Sequence, residues 1–594
     1  MVVLTPDAKI NENGGKYAGL DRFEARKQIV ADLEVQGYLV KVRKHNHAVG
    51  HCYRCNTVIE PRVSRQWFVK MAPLAAPALE AVKSGKITIQ PKRWEKVYYN
   101  WLENIRDWCI SRQIRWGHRI PAWYGPDQKV FVAKSETEAK DQALAFYGHE
   151  VELTQETDVL DTWFSSALWP FSTMGWPEKT ELLERFYPTS TLVTGADIIF
   201  FRVARMVMMG IYQMKEVPFH DVLFHGIVRD DLGRKMSKSL GNSPDPLKLI
   251  DEYGADAIRF TMIYNTSAGQ DVHFSEKLLE MGRNFANKVR NATNFVLMNL
   301  EGFDAKKVNK ADLDFELVDQ WIYSRLHETI DQVNKNLDTY TLDEAAKAVY
   351  EFIRGDFCDW YVEMAKVRLY ANEDLRSKTT AQRVLRDVLE SALKLLHPFM
   401  PFITEELWQH IKLKGETIML ADFPKADQTL ISSEVDDAMS YIQEVITALR
   451  NIRAEAGVAP SKEVSALIKT ASESELSILS ENKAFLMKLA KLSSLEFGKE
   501  LQKPDLSGFR VVGHSEIIVP LLGLLDIEAE SKKILDQIAK LEQGLANTNA
   551  KLSNETFVSK APAAVIEREK ANLADYQQKI EKLQANLALL KGSK

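Results

Sequence analysis

The sequence predicts an α/β domain followed by a helical bundle and a terminal antiparallel helical hairpin, and three patterns carry that prediction. Between Asp158 and Phe274, apolar runs such as Thr191–Val193 and Val222–Ile227 alternate with helical ones such as Val203–Met214, the alternation of an α/β fold. From Glu276 to about Val464 amphipathic helical periodicity is nearly continuous, with proline largely confined to breaks such as Pro398 and Pro401, as in a helical bundle. From Asp526 onward apolar residues recur at spacings of three and four in two stretches, the mark of paired heptad helices.

Taken in order, residues 1–63 open with loop material from Asn11 to Gly19. An amphipathic run begins at Asp21 (Phe23, Ile29, Leu33, Leu39) and reads as one helix. The stretch 64–275 starts tryptophan-rich, with Trp67, Trp94, Trp101, Trp108 and Trp116, the later ones interleaved with Arg106, Arg112, Arg115 and Arg119. Aromatics among arginines can stack single-stranded nucleic acid; tryptophans in a core with arginines at a cleft rim are at least as fair a reading. Residues 126–157 are polar and read as a surface insertion. The bundle covers 276–464, and 465–525 mixes short helices with β-like runs at Arg510–Val512 and Glu516–Pro520. In 526–594, Ile534, Ile538, Leu541, Leu545 and Leu552 form one stripe, and Leu573, Tyr576, Ile580, Leu583, Leu587 and Leu590 the other. A turn carrying Ser559 and Pro562 joins them.

Composition bounds the function. A chain of 594 residues with 45% hydrophobic and 27% charged residues is an ordinary globular composition. The net charge of −5 means that any nucleic-acid affinity rests on local basic surfaces. Four cysteines argue against a disulfide framework and for a reducing compartment. No apolar run is long enough to span a bilayer, and the N-terminus lacks the pattern of a signal peptide. A cytoplasmic protein is expected.

The most informative segment is Gly233-Arg-Lys-Met-Ser-Lys-Ser-Leu-Gly-Asn242. Lys235 and Lys238 lie three apart among small hydroxyl residues, between two glycines that permit a tight, mobile backbone. Two ammonium groups there can meet a polyanion whose charge grows as a bond to phosphorus breaks. The pentamer Lys235-Met236-Ser237-Lys238-Ser239 resembles the KMSKS loop of class I aminoacyl-tRNA synthetases. Further segments narrow the resemblance to the valyl-tRNA synthetases: Trp108-Cys-Ile-Ser-Arg-Gln113 with Gly117-His118-Arg119-Ile120-Pro121, Asp158-Val-Leu-Asp-Thr-Trp-Phe-Ser-Ser166, Thr194-Gly-Ala-Asp-Ile-Ile-Phe-Phe201, Ala448-Leu-Arg-Asn-Ile-Arg453 and Leu552-Ser-Asn-Glu-Thr-Phe-Val-Ser-Lys-Ala-Pro562. They are colinear over essentially the whole chain. Isoleucyl-type enzymes share the lysine loop but often end in a cysteine-rich zinc module, and no cysteine follows Cys358.

The resemblance implies ATP-dependent activation of valine, with Mg²⁺ accompanying ATP, and transfer to the 3′ end of tRNA(Val). It implies Lys235 and Lys238 as catalytic cations, with Lys238, Ser237, Ser239 and His225 near ATP. Trp163 and Ile198 are implied as walls of the amino-acid pocket, and Asp197 near it. A branched three-carbon side chain suits such walls, yet an apolar pocket cannot strongly reject an isostere bearing a hydroxyl; valyl enzymes facing threonine are the standing illustration. The pattern is broken at Ala196, where an aromatic residue is common, and at Arg202, where tryptophan is usual. For the stretches above it implies, in turn, the end of an editing insertion with a cysteine knuckle, an incomplete Rossmann-type catalytic portion, an anticodon-binding bundle, a connector and a tRNA-binding arm. A monomer is expected, because each hairpin stripe is satisfied by the other.

Cys52 and Cys55, beside His51, make half of a zinc site, while tetrahedral zinc asks for four ligands. Cys109 and Cys358 are remote in sequence, and His45 and His47 are the other candidates; a reduced, metal-free knuckle is expected. No His-x-Gly-His turn is present, although class I synthetases receive the ATP phosphates there. The editing-pocket segments are absent too. The chain therefore reads as the C-terminal two-thirds of a valyl enzyme, not active alone and completed by a missing N-terminal segment. The other reading is a non-catalytic tRNA-binding fragment.

Overall fold

The computed structural model describes all residues except 53–54, 61, 238–239, 309–312, 371–374, 413, 460, 505, 522–526, 554–561 and 593–594. The chain divides into two units, Met1–Phe224 and His225–Lys594.

In the first unit the Asp21 carboxylate accepts the Phe23 N–H and starts the helix Arg22–Val35. The predicted apolar stripe runs too far: Leu39 lies beyond the helix, which stops before Gly37 at φ +75°, a left-handed residue that ends helices. A three-stranded sheet places Phe219–His225 between Thr88–Gln90 and Thr189–Gly195, with Thr88–Gln90 parallel to the central strand. Helices Ala72–Lys83 and Ala204–Met214 pack together beside it. The first presents Ala75, Ala78 and Ala81, small residues three apart that let two backbones approach. Ile89, Val222 and Phe224 from the sheet and Met206 and Val207 from the helix are buried with them. The polar segment 126–157 is more ordered than predicted. Strands Ala122–Tyr124, Val130–Val132 and Thr154–Gln155 form a small sheet. The helix Glu136–Tyr147 is capped by Ser135, and Trp123 and Ala139 share a small core. The strands are too short to show alternation, but Ser135 with Glu138 and the closing Gly148 are a helix signal that sequence reasoning missed.

The second unit is a helical bundle joined to a mixed sheet. Phe260, Phe285 and Tyr350 stack with centroids 5.0 and 4.7 Å apart. Pro401 opens the helix Pro401–Ile411, where a missing N–H costs nothing. Helix Leu317–Asp338 begins with a reciprocal capping box between Glu316 and Asp319. Asp319 and Arg368 are buried, with Arg368 Nη1 donating to both carboxylate oxygens at 2.7 and 2.6 Å, and the Tyr361 hydroxyl donates to the same carboxylate at 2.7 Å. The second sheet has the order Leu492–Gly498, Val464–Thr470, Ser515–Pro520, Ser507–Val512. Helices Ile527–Leu552 and Ala563–Gly592 lie side by side with opposed ends: Gly544 meets Tyr576, and Lys551 pairs with Glu569 at 3.3 Å.

Removing one partner of a buried pair leaves an uncompensated charge. Arg368→Met should therefore lower the stability of the helical unit by about 3–5 kcal/mol, whereas Arg368→Met combined with Asp319→Leu should recover most of it. Urea unfolding followed by circular dichroism checks both.

Candidate functional site

In the second unit the lysine segment is a turn folded around one carboxylate. Asp230 is buried and accepts the backbone N–H groups of Leu232 and Arg234 at 3.1 and 2.8 Å, the Arg234 Nε–H at 2.8 Å and the Asn242 side-chain amide at 3.0 Å. These donors, Asn242 foremost and then Arg234, hold the Asp230 carboxyl well below the usual carboxylate range. Asn242 also reaches back into the segment: its oxygen accepts the Ser237 N–H at 2.9 Å and its amide donates to the Lys235 carbonyl at 3.3 Å. Lys235 is exposed and bridges to Arg229. Lys238 and Ser239 lie outside the described residues. A cavity of about 790 Å³ flanks the turn, lined by Asp230, Met236, Asn242, Phe274 and Lys277 among others.

His225 is exposed, and its Nδ1–H donates to the Gly226 carbonyl at 2.8 Å. The next position admits only glycine, since a Cβ on Gly226 would fall 1.6 Å from the Gln270 carbonyl oxygen. That close approach lets Val228–Arg229 pair in parallel with Val272–His273 and so fixes where the lysine turn begins.

In the first unit, Asp161 organises the predicted pocket residues. Its Oδ1 accepts the Trp163 N–H at 3.3 Å and caps the helix Thr162–Ala167. Its Oδ2 accepts Trp108 Nε1–H at 3.0 Å and Arg112 Nη2–H at 2.8 Å, with Arg205 Nη1 at 3.8 Å. Burial pulls the Arg205 guanidinium down to about 10, opposed by Asp161; it lies 3.8 Å over the Trp108 ring. Trp163 stacks on Phe201, centroids 5.7 Å apart at 27°. Ile198, half-buried, and Asp197, exposed, sit on the short turn Ala196–Ile198 that leads into the π-helical turn Ile199–Val203 carrying Phe201. Arg202, on that same turn, has a buried Nε without a hydrogen-bond partner. Ala196 packs against the surrounding core.

Of the tryptophan-rich stretch, Trp108 is core, Trp67 donates to Glu156 at 2.9 Å and Trp101 stacks on Phe200 at 5.2 Å, while Trp116 is 91% exposed. At the cysteine knuckle the Cys52 carbonyl accepts the Asn56 N–H, and the His51 Nδ1–H donates to the Asn56 carbonyl at 2.8 Å. Among the described residues no group of three or more His, Cys, Asp or Glu is placed to hold a metal, and no helix is long and apolar enough to cross a membrane. Sequence reasoning missed Asp230, Asn242, Asp161 and Arg205. The first pair left a local signal, an Asp three residues before a Gly in a turn and an Asn closing the lysine segment, and so did Asp161 as an N-cap; Arg205 left none.

Three family descriptions match the chain: "tRNA synthetases class I (I, L, M and V)" over residues 21–275, "Anticodon-binding domain of tRNA ligase" over 319–468, and "Valyl tRNA synthetase tRNA binding arm" over 526–591. The chain is 63% identical over 587 residues to the valine–tRNA ligase of Fusobacterium nucleatum, covering 98% of this chain and 66% of that protein. It is 49% identical over 588 residues to the valine–tRNA ligase of Geobacter sulfurreducens, with 98% and 66% covered. With that of Thermotoga maritima it shares 46% over 585 residues, again with 98% and 66% covered. The chain thus spans 66% of the length of these relatives.

Two consequences can be measured. Asn242→Ala removes hydrogen bonds to Asp230 and to the lysine turn, one of them to a charged acceptor, so tryptic cleavage after Arg234 and Lys235 should quicken about tenfold. Asp230→Asn should give the same pattern. Because the Asp230 pKa is depressed, its contribution to the turn is present above the ordinary carboxylate pKa of about 3.9 and is lost as pH falls through its folded-state value. Arg202→Met removes a buried donor that has no acceptor and should raise stability by about 1 kcal/mol, read as a higher thermal midpoint.

Proposed function

We propose that this chain, which belongs to the class I tRNA synthetases in their valyl branch, serves the activation of valine by ATP and its transfer to the 3′ end of tRNA(Val). The observation that carries this reading is the lysine segment, held as a turn by Asp230 and Asn242, in a chain 63% identical to a valine–tRNA ligase. A valine carboxylate oxygen attacks the α-phosphorus, the bond to the bridging oxygen breaks, and pyrophosphate leaves with the charge that Lys235 and Lys238 offset. No covalent enzyme intermediate is required, so the rate rests on alignment and on charge stabilisation. Ser237, Ser239 and His225 contact the nucleotide, and Mg²⁺ arrives with ATP as part of the substrate.

Trp163 and Ile198 wall the valine side chain, with Asp197 at the pocket edge; the stacking of Trp163 on Phe201 supports this. Residues 276–464 read the anticodon, since proteins read RNA sequence at exposed single-stranded loops. The coiled-coil hairpin of 526–594 holds the tRNA body, and 465–525 connects the two. Residues 64–275 carry the C-terminal part of the catalytic fold, and 1–63 close an editing insertion.

Valine-dependent pyrophosphate exchange tests the reading. It is measured on this chain alone and with the N-terminal third of the Fusobacterium nucleatum relative added as a separate polypeptide. Exchange is expected in the mixture, because the chain has no His-x-Gly-His turn to hold ATP from its other side. Exchange in neither sample, with tRNA still bound, would leave a non-catalytic tRNA-binding fragment. In the active sample Lys238→Ala should lower the exchange rate about 10²–10³-fold while shifting valine affinity little, since pyrophosphate charge develops only in the transition state.

A further inference from the structure

Trp163 does not hold itself in place. Its helix, Thr162–Ala167, is six residues long, too short to be stable through its own hydrogen bonds. What fixes its first turn is Asp161, 5% exposed, whose own N–H is tied to the Ile110 carbonyl at 2.7 Å. The two carboxylate oxygens divide the work. Oδ1 holds the Trp163 N–H, and Oδ2 is gripped by Trp108 at 3.0 Å and Arg112 at 2.8 Å. Arg205, 8% exposed, adds its charge with Nη1 at 3.8 Å, beyond hydrogen-bond distance. Its guanidinium plane lies against Trp108 at 3.8 Å and reaches Phe201 at 5.8 Å, the ring on which Trp163 stacks. Arg205 therefore touches both routes to Trp163, through the carboxylate that caps its helix and through the aromatic ring it packs on.

We propose that Asp161, clamped by Arg112, Trp108 and Arg205, is the positioning residue of the amino-acid pocket, setting where the Trp163 indole stands. This rests on the reading of Trp163 as a pocket wall. The chemistry calls for such a device: a shape filter for a small branched side chain works only if its wall is held within about 0.5 Å, and while Phe164 and Ala167 pack the six-residue helix against the core, Asp161 fixes the first turn that carries Trp163. Asp161 and Arg205 do not touch the substrate. They act through Trp163, so their loss is felt in amino-acid binding before it is felt in nucleotide binding.

The test uses the full chain labelled with 5-fluorotryptophan, with the Trp163 line in the ¹⁹F spectrum assigned by its loss in Trp163→Phe. Arg205→Lys and Arg112→Gln should both shift or broaden the Trp163 and Trp108 lines and leave Trp360 and Trp408 of the helical unit unmoved. Arg112, with its side chain 39% exposed, is the variant that folds even if the buried substitutions do not. In the exchange assay with the added N-terminal third, both variants should raise the KM for valine at least tenfold and leave the KM for ATP and the maximal rate within about twofold. A Trp163 line unmoved by either variant overturns the proposal. So does an equal change in both KM values, the mark of a merely structural role. If the unsubstituted protein shows no valine-dependent exchange, the valine reading fails, and the fluorine spectra still decide whether Asp161 positions Trp163.

Discussion

A carboxylate withdrawn from water must be surrounded by donors or lose its charge, and this constraint organises each part of the molecule that matters here. Asp161, Asp230 and Asp319 are all at most 9% exposed, and each gathers chain segments that would otherwise have no reason to meet. Asp319 brings Arg368 and Tyr361 to the start of a helix. Asp230 folds a glycine-rich segment into a turn and passes its hold through Asn242 to the backbone of the lysine segment. Asp161 joins the strands bearing Trp108 and Arg112 to the helix bearing Trp163 and to the helix bearing Arg205. In each case an apolar substitute of equal volume could fill the space, but it could not specify which segments converge. The carboxylate supplies direction, which dispersion and hydrophobic burial do not.

This explains what was legible in the sequence. Signals confined to a few neighbouring residues were readable, such as the Asp21 helix start, whereas Pro401, read as a break, opens a helix. Arg112 and Arg368 each meet their carboxylate across 49 residues, and no periodicity announces such a pair. The π-helical turn Ile199–Val203 was unreadable for a related reason. Its residues, Ile-Phe-Phe-Arg-Val, look like a buried strand or helix, and nothing in that run announces a wider turn packed among the helices Arg93–Glu103, Thr162–Ala167 and Ala204–Met214. In 126–157 the strands, two or three residues long, are shorter than any alternation that could be counted, but the helix Glu136–Tyr147, with Ser135 before it and Gly148 after it, was legible and was missed.

Arg202 is where sequence and structure pull hardest against each other. It stands on the turn that Trp163 packs against, one residue past Phe201, and carries a buried Nε that no acceptor satisfies. An orphaned donor of this kind costs stability, so the position is not optimised for the fold. The contrast with Arg205 three residues on is instructive. That side chain is more deeply buried and its Nε and Nη1 also lack a hydrogen-bond partner, but it has a carboxylate within 3.8 Å and an aromatic face at 3.8 Å. Both arginines thus bury donors that no acceptor satisfies, and what sets Arg205 apart is the counter-charge of Asp161 beside it.

The terminal helices show how a long element can be both rigid and aimed. On the second helix Leu573, Tyr576, Ile580 and Leu583 are half-buried while the residues between them are exposed, so the packed surface is a single seam and the rest faces solvent. Such a seam stiffens the pair along its length but says nothing about where the pair points. Direction comes from the base: Ile534 and Ile538 are buried together with Ile580, Leu583 and Leu587, and Leu506, from the segment before the strand Ser507–Val512, joins the same cluster. Among the described residues this cluster is where the apolar side chains of the pair meet the rest of the unit, so its direction is set at the base. With eleven basic and ten acidic residues from Asp526 onward, such a rod has little net charge with which to attract a polyanion from a distance. Net charge does not decide affinity for nucleic acid in either direction, since the rest of the chain is more acidic and local basic surfaces set it.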